Sequence, residues 1–128
     1  KQLDPEGPVP ANNLAWIYAE SGGNLDIALQ LAQTAKRKLP ETPEVYDTLG
    51  YIYYKKDLPA LAIPLLQASV QKEPSNPLFH YHLGLAYKSG GNSAQARESL
   101  NRALALKPDF SEAQNARTVL ESLKGGAS

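Results

Sequence analysis

The sequence predicts an all-α protein, a solenoid of three helix hairpins closed by one further helix. Three observations carry that reading. The chain repeats itself every 34 residues, prolines and glycines divide each copy into two helices, and small residues fall where those helices must meet. Sliding the chain by 34 places Pro43, Leu49, Gly50, Tyr53, Ala62, Leu66 and Pro74 on Pro77, Leu83, Gly84, Tyr87, Ala96, Leu100 and Pro108. An upstream copy keeps Leu14, Ala15, Tyr18, Ala28 and Pro40, with its Tyr-to-Ala spacing one residue longer, so its first helix is extended by a residue.

Taken in order, residues 1–7 form a linker within a Pro- and Gly-rich opening, KQLDPEGPVP. The first repeat, 8–42, breaks at Gly22-Gly23, and its second helix is expected over 25–38. The second, 43–76, starts at Pro43 behind Thr42 as N-cap. Tyr46, Leu49, Gly50 and Tyr53 follow at helical spacing. Asp57 stands where the other copies have glycine, a role open to aspartate because it tolerates a left-handed backbone. Its partner helix, 59–72, contains Pro64, which removes a backbone donor and predicts a kink. The third repeat, 77–110, runs from Pro77 behind Asn76, breaks at Gly90-Gly91 and resumes over 93–106. Ser111 and Gln114 are spaced as a capping box for a last helix, 111–123, striped by Ala113, Ala116, Leu120 and Leu123. Residues 124–128, KGGAS, read as a flexible tail. Gly50 should oppose Ala62, and Gly84 should oppose Ala96, at the closest helix approach, with Tyr53 and Tyr87 filling the space between hairpins. One hairpin cannot bury its own apolar face, so neighbours must stack.

Composition narrows the function. Thirteen basic residues balance thirteen acidic ones, whereas a nucleic-acid surface needs a basic excess to displace counterions. No apolar run approaches the roughly 20 residues of a membrane span, and no secretory leader is evident, although a chain starting at Lys1 leaves its compartment open. Without cysteine, thiolate nucleophiles, disulfides and thiolate metal sites are excluded. His80 and His82 flank Tyr81, but two residues apart on a helix they point roughly 200° apart and cannot share a metal. Glu44 and Asp47 lie at a helix N-terminus, where interaction with the helix dipole accounts for them, and Lys36-Arg37-Lys38 suits a helix C-terminus. No glycine-rich phosphate loop follows a strand. The expectation is a non-enzyme with no cofactor and no metal.

The Leu-Gly-x-x-Tyr, Ala, small residue and Pro spacing resembles the tetratricopeptide repeat (TPR) over residues 8–110. The stretches NNLAWIYAE, YDTLGYIYYKK and FHYHLGLAYKSGG further resemble terminal repeats of large bacterial TPR proteins, some of them lipoproteins linked to exopolysaccharide export and protein sorting. That likeness would suit a cytoplasmic or envelope-associated segment of a longer array. The family resemblance implies a right-handed superhelix whose first helices line a concave groove. Groove positions would then be Asn12, Trp16 and Glu20; Glu44, Asp47, Tyr51, Tyr54 and Lys55; Leu78, Tyr81, Leu85 and Lys88; and Asn115 and Val119 on the cap. His80 would take the position of a large residue between helices, and His82 that of a polar residue at the groove edge. Chaperone-binding members resemble a two-carboxylate clamp of Lys, Asn and Arg; its positions here hold Asn12, Trp16, Thr48, Leu78 and His82, so the basic residues are missing. The implied function is a protein-interaction scaffold. Trp16, Tyr51, Tyr54, Tyr81 and Leu85 would supply binding energy, and Asn12, Asp47, Lys55 and Lys88 polarity and register, toward a peptide or helical segment. The rival expectation is a structural segment that self-associates through its repeat ends with an empty groove.

Overall fold

The computed structural model describes residues 7–125. Parts of the expected linker (1–6) and tail (126–128) lie outside the described residues. Among the described residues the chain forms seven helices and no strand: α1 (Pro8–Glu20), α2 (Leu25–Lys38), α3 (Pro43–Lys55), α4 (Pro59–Lys72), α5 (Pro77–Ser89), α6 (Ser93–Leu106) and α7 (Ala113–Gly125). They pair as α1–α2, α3–α4 and α5–α6, and α7 covers the last pair.

Punctuation in the sequence sets these ends. Asn24 caps α2 by accepting from the Asp26 and Ile27 amides at 2.9 and 3.1 Å, and Asn76 caps α5 by accepting from Leu78 at 3.0 Å. Thr42 holds the corresponding place before α3 with no side-chain bond; the proline at the start of α3 already fixes the first turn. The three hairpin turns share a left-handed residue, Gly22 (φ 74°), Asp57 (φ 62°) and Gly91 (φ 84°). Aspartate therefore does substitute for glycine there.

Two local expectations are corrected. The Ser111–Gln114 capping box does not form: α7 starts at Ala113, whose amide bonds the carbonyl of Phe110 at 2.9 Å, and the buried Phe110 ring anchors that turn instead. The extra residue of the first repeat does not lengthen its first helix: α1, α3 and α5 each span 13 residues, and the extra residue falls in the turn 21–24, against 56–58 and 90–92 in the later hairpins. Pro64 lies within α4, which stays helical from Pro59 to Lys72.

Close packing inside each hairpin depends on Gly50 and Gly84. A Cβ on Gly50 would lie 2.7 Å from Leu66 Cγ and 3.3 Å from the Ala62 carbonyl; on Gly84, 2.8 Å from Leu100 Cγ and 3.3 Å from the Ala96 carbonyl. The neighbours are thus a leucine side chain as well as the expected alanine. Between hairpins, Tyr53 and Tyr87 fill the seam, each hydroxyl accepting from the preceding hairpin: Gln33 Nε2 at 3.3 Å and Gln67 Nε2 at 2.8 Å.

Candidate functional site

The first helices α1, α3 and α5 stand side by side and form one wall. A cleft of about 350 Å³ opens along it, lined by Asn12, Asn13, Trp16 and Ile17 of α1, Glu44, Asp47 and Thr48 of α3, and Asn76, Leu78 and Phe79 at the start of α5. Its apolar surface comes chiefly from Ile17, 58% exposed, with the part-buried Trp16 and Leu78 beside it. Its polar surface is amide and carboxylate, with no lysine or arginine among its lining residues. Asn12 contributes a side-chain oxygen that is fully enclosed and unpartnered among the described residues. Lys55 and Lys88 lie exposed at the opposite ends of α3 and α5, where exposed Glu20 also ends α1, so the wall is acidic at one end and mixed in charge at the other.

Beneath the cleft runs an aromatic layer. Trp16 meets Tyr51 at 4.8 Å between centroids, Tyr51 meets His82 at 4.6 Å and Tyr54 at 5.7 Å, and Tyr81 meets His82 at 5.7 Å and Phe110 at 5.9 Å. Here several expected groove residues change role. Tyr51 and Tyr81 are only 8% and 7% exposed, so they are packing residues rather than free anchors, because neighbouring first helices approach closely enough to cover their rings. Asp47, 4% exposed, does not face solvent either. His82, expected as a polar residue at the groove edge, is 2% exposed, and its Nδ1 lies 2.8 and 3.0 Å from the two Asp47 oxygens. A carboxylate oxygen accepts, so the pair forms with the His82 tautomer that carries its proton on Nδ1. This pair ties α5 to α3 across the floor of the cleft. His80 behaves as expected: buried, with Nε2 2.8 Å from the Pro74 carbonyl.

The remaining positions stay accessible or half-buried. Glu20 and Glu44 are exposed, Tyr54 and Leu85 are half-buried, and Asn115 is exposed beside half-buried Val119. Glu20 accepts from the Tyr51 hydroxyl at 2.6 Å, and Lys55 sits 5.8 Å above the Tyr51 ring. Burial first, then the bond to Glu20, pushes the Tyr51 hydroxyl far above the ordinary tyrosine value. Tyr81 is pushed up to about 12, by burial and then by the charge of Glu112, and burial alone raises Tyr54. These hydroxyls are permanent neutral donors at ordinary pH, suited to hydrogen bonding and not to proton transfer.

The His82–Asp47 pair was missed from sequence because the two residues are 35 apart and neither is unusual for a helix. A signal existed: one repeat before His82 stands Thr48, and one before Asp47 stands Asn12, so the pair occupies adjacent positions on neighbouring first helices. Outside the wall, Lys36 of the basic run lies 5.1 Å over the Tyr46 ring, a local packing role. A second cleft of about 360 Å³ sits between α6 and α7, lined by Arg97, Asn101, Arg117, Leu120, Glu121 and Lys124. Among the described residues no group of His, Asp or Glu could hold a metal, and no helix is long and apolar enough to cross a membrane.

A sequence model described as tetratricopeptide repeat matches residues 55–120. The peroxisomal targeting signal receptor of Saccharomyces cerevisiae is 30% identical over 91 residues, which is 71% of this chain and 15% of that protein. The chain thus spans under a fifth of the length of that relative. Among solved structures, the first TPR of Spaghetti (RPAP3) bound to the HSP90 peptide SRMEEVD superposes with a TM-score of 0.81 at 18% identity, covering 97% of this chain and 95% of that one. The Yersinia enterocolitica type III secretion chaperone SycD, in complex with a peptide of the translocator YopD, gives 0.76 at 20% identity over 90% of both chains. These last two are likenesses of fold.

Proposed function

The chain belongs to the tetratricopeptide repeat family, and on that premise we propose that it is a non-catalytic scaffold whose α1–α3–α5 cleft receives a segment of a partner protein. The observation that carries this reading is the cleft itself: exposed Ile17, with Trp16 and Leu78, set beside amide and carboxylate acceptors on a wall shared by all three hairpins. Two proteins of similar fold hold peptides, an HSP90 peptide in one and a YopD peptide in the other, which supports the reading.

The lining chemistry narrows the occupant. With Glu44 exposed and no basic residue in its lining, the cleft favours donors over carboxylates. Its occupant is an extended or helical segment with one or two apolar side chains and a lysine, arginine or free amide donor at the Glu44 end. Acidic groups, where the segment has them, belong toward Lys55 and Lys88. Binding energy comes from Trp16, Ile17 and Leu78, with Tyr54 and Leu85 continuing the apolar track. Tyr51, Tyr81, Asp47 and His82 hold the wall in shape.

Trp16, the chain's only tryptophan, reports on the cleft directly. Its fluorescence is to be titrated with a blocked peptide of alternating leucine and lysine, and with the glutamate counterpart. The lysine peptide should bind at least ~10-fold tighter, a difference of about 1.4 kcal/mol, and Glu44→Lys should reverse the order. No saturable change with either peptide, or a preference unaffected by Glu44→Lys, would refute the assignment.

A further inference from the structure

The seam between successive hairpins is built twice from the same four positions. The first sets Leu29 and Gln33 of α2 against Leu49 and Tyr53 of α3. The second, 34 residues on, sets Ile63 and Gln67 of α4 against Leu83 and Tyr87 of α5. Both gaps are closed: Leu49 and Leu83 are 5% and 6% exposed, and each glutamine donates to the tyrosine opposite. A further 34 residues on, the same positions hold Arg97 and Asn101 of α6 and Arg117 and Glu121 of α7. All four are now polar or charged, and the gap stays open as the cleft of about 360 Å³, with Leu120 and Lys124 completing its lining. Solvation of a terminal helix accounts for charge on its outward stripe. It does not account for half-buried Arg97 on α6, nor for both sides of one seam changing together.

Three cations and one carboxylate line this cleft, the reverse of the α1–α3–α5 cleft, which holds Glu44 and Asp47 and no lysine or arginine. Among the described residues no carboxylate lies within 4 Å of a side-chain nitrogen of Arg97, Arg117 or Lys124. The Arg117 guanidinium is held in place by donating to the Pro108 carbonyl at 2.7 Å, which leaves its other N–H groups for a ligand. Arg117 and Lys124 are seven residues apart on one side of α7, so their positions are separated by roughly 10 Å along the helix axis. Half-buried Leu120 lies between them.

We propose that the α6–α7 cleft is a second binding site, for an acidic segment of a protein. The segment presents carboxylates to Arg117 and Lys124, with Arg97 beside them, and lays an aliphatic side chain between them on Leu120. Asn101 supplies an amide for its backbone. The lining has no aromatic ring on which a base could stack, which favours a peptide over a nucleic-acid strand. The two clefts share no lining residue, so occupancy of one does not depend on the other, and one chain has room for two segments of opposite charge.

Trp16 does not line this cleft, so the readout is amide NMR of the full chain. The titrants are the blocked leucine–glutamate peptide, its leucine–glutamine counterpart and inorganic phosphate. The glutamate peptide should shift amides of residues 97–101 and 117–124, with at least ~10-fold higher affinity than the glutamine peptide. Arg97→Gln with Lys124→Gln should remove most of that preference, while Arg117, which braces the turn before α7, is left in place. Lys124→Gln alone, at an exposed position, should weaken binding in the same direction with Tm unchanged. No shift of these amides at saturating peptide, equal affinity for the two peptides, or binding that survives the double variant would overturn the proposal. So would phosphate that shifts the same amides as tightly as the peptide, because the cleft would then take a small anion.

Discussion

Removing the carboxylate beneath the cleft tests how the wall is held. In Asp47→Ala, His82 keeps its Nδ1–H in a site 2% exposed but loses both acceptor oxygens, at 2.8 and 3.0 Å. A hydrogen bond to a charged group contributes about 1.5–3 kcal/mol, and a donor left buried without a partner costs a comparable amount of desolvation. The two descriptions overlap, so the expected loss is about 2–3 kcal/mol. At ~2.1 cal/mol/K per residue, the 128 residues give an unfolding entropy near 0.27 kcal/mol/K, so Tm should fall by about 7–11 °C. His82→Ala should cost at least as much, because it also removes the ring packed on Trp16 and Tyr51. The assay is urea unfolding of the two single variants and the double variant. The cycle should return a coupling of about 1.5–3 kcal/mol. Additivity within about 0.5 kcal/mol would refute the claim that this pair ties α5 to α3.

Three other predictions concern the frame and the buried tyrosines. Gly84→Ala should destabilise although alanine gains about 1 kcal/mol in helix propensity, because its Cβ would sit 2.8 Å from Leu100 Cγ in a fully buried layer. Denaturant midpoints should show a net loss of about 1–2 kcal/mol, from overpacking in the upper part of the ~1–3 kcal/mol range; an unchanged or raised midpoint would contradict the packing. Gly22→Ala should cost about 1–2 kcal/mol through backbone strain alone, since φ is 74° and nothing lies within 4 Å of the added methyl. Tyr51 and Tyr81 have folded values raised above that of a free tyrosine. Their contribution is therefore complete below about pH 10 and is lost as pH rises from there toward the folded values. Tm should decline above that pH, less steeply in Tyr51→Phe, and phenolate absorbance should lag behind that of the urea-unfolded chain.

Where the sequence was informative, it was so because the repeat is a packing rule. Gly50 and Gly84, Ala62 and Ala96, and Tyr53 and Tyr87 recur because the same contact recurs, so the hairpins could be read without coordinates. The site was legible only in outline. Helical spacing assigns a residue to a face, but not to a depth, and depth on the concave wall depends on how tightly neighbouring first helices approach. That is why Tyr51, Tyr81, Asp47 and His82 fall on the expected side yet are buried, while Ile17, not singled out, supplies the most exposed apolar surface of the cleft. The Ser111–Gln114 spacing failed for a related reason: a local capping signal lost to the tertiary anchoring of Phe110.

The central claim, that the α1–α3–α5 cleft is where a partner segment binds, is tested most directly by amide NMR of the chain titrated with the lysine–leucine peptide. Shifts should concentrate on Asn12–Ile17, Glu44–Thr48 and Asn76–Phe79, and Ile17→Ala with Leu78→Ala should abolish them without unfolding the chain. Shifts centred instead on Arg97, Asn101 and Arg117 between α6 and α7, or none at saturating peptide, would contradict it.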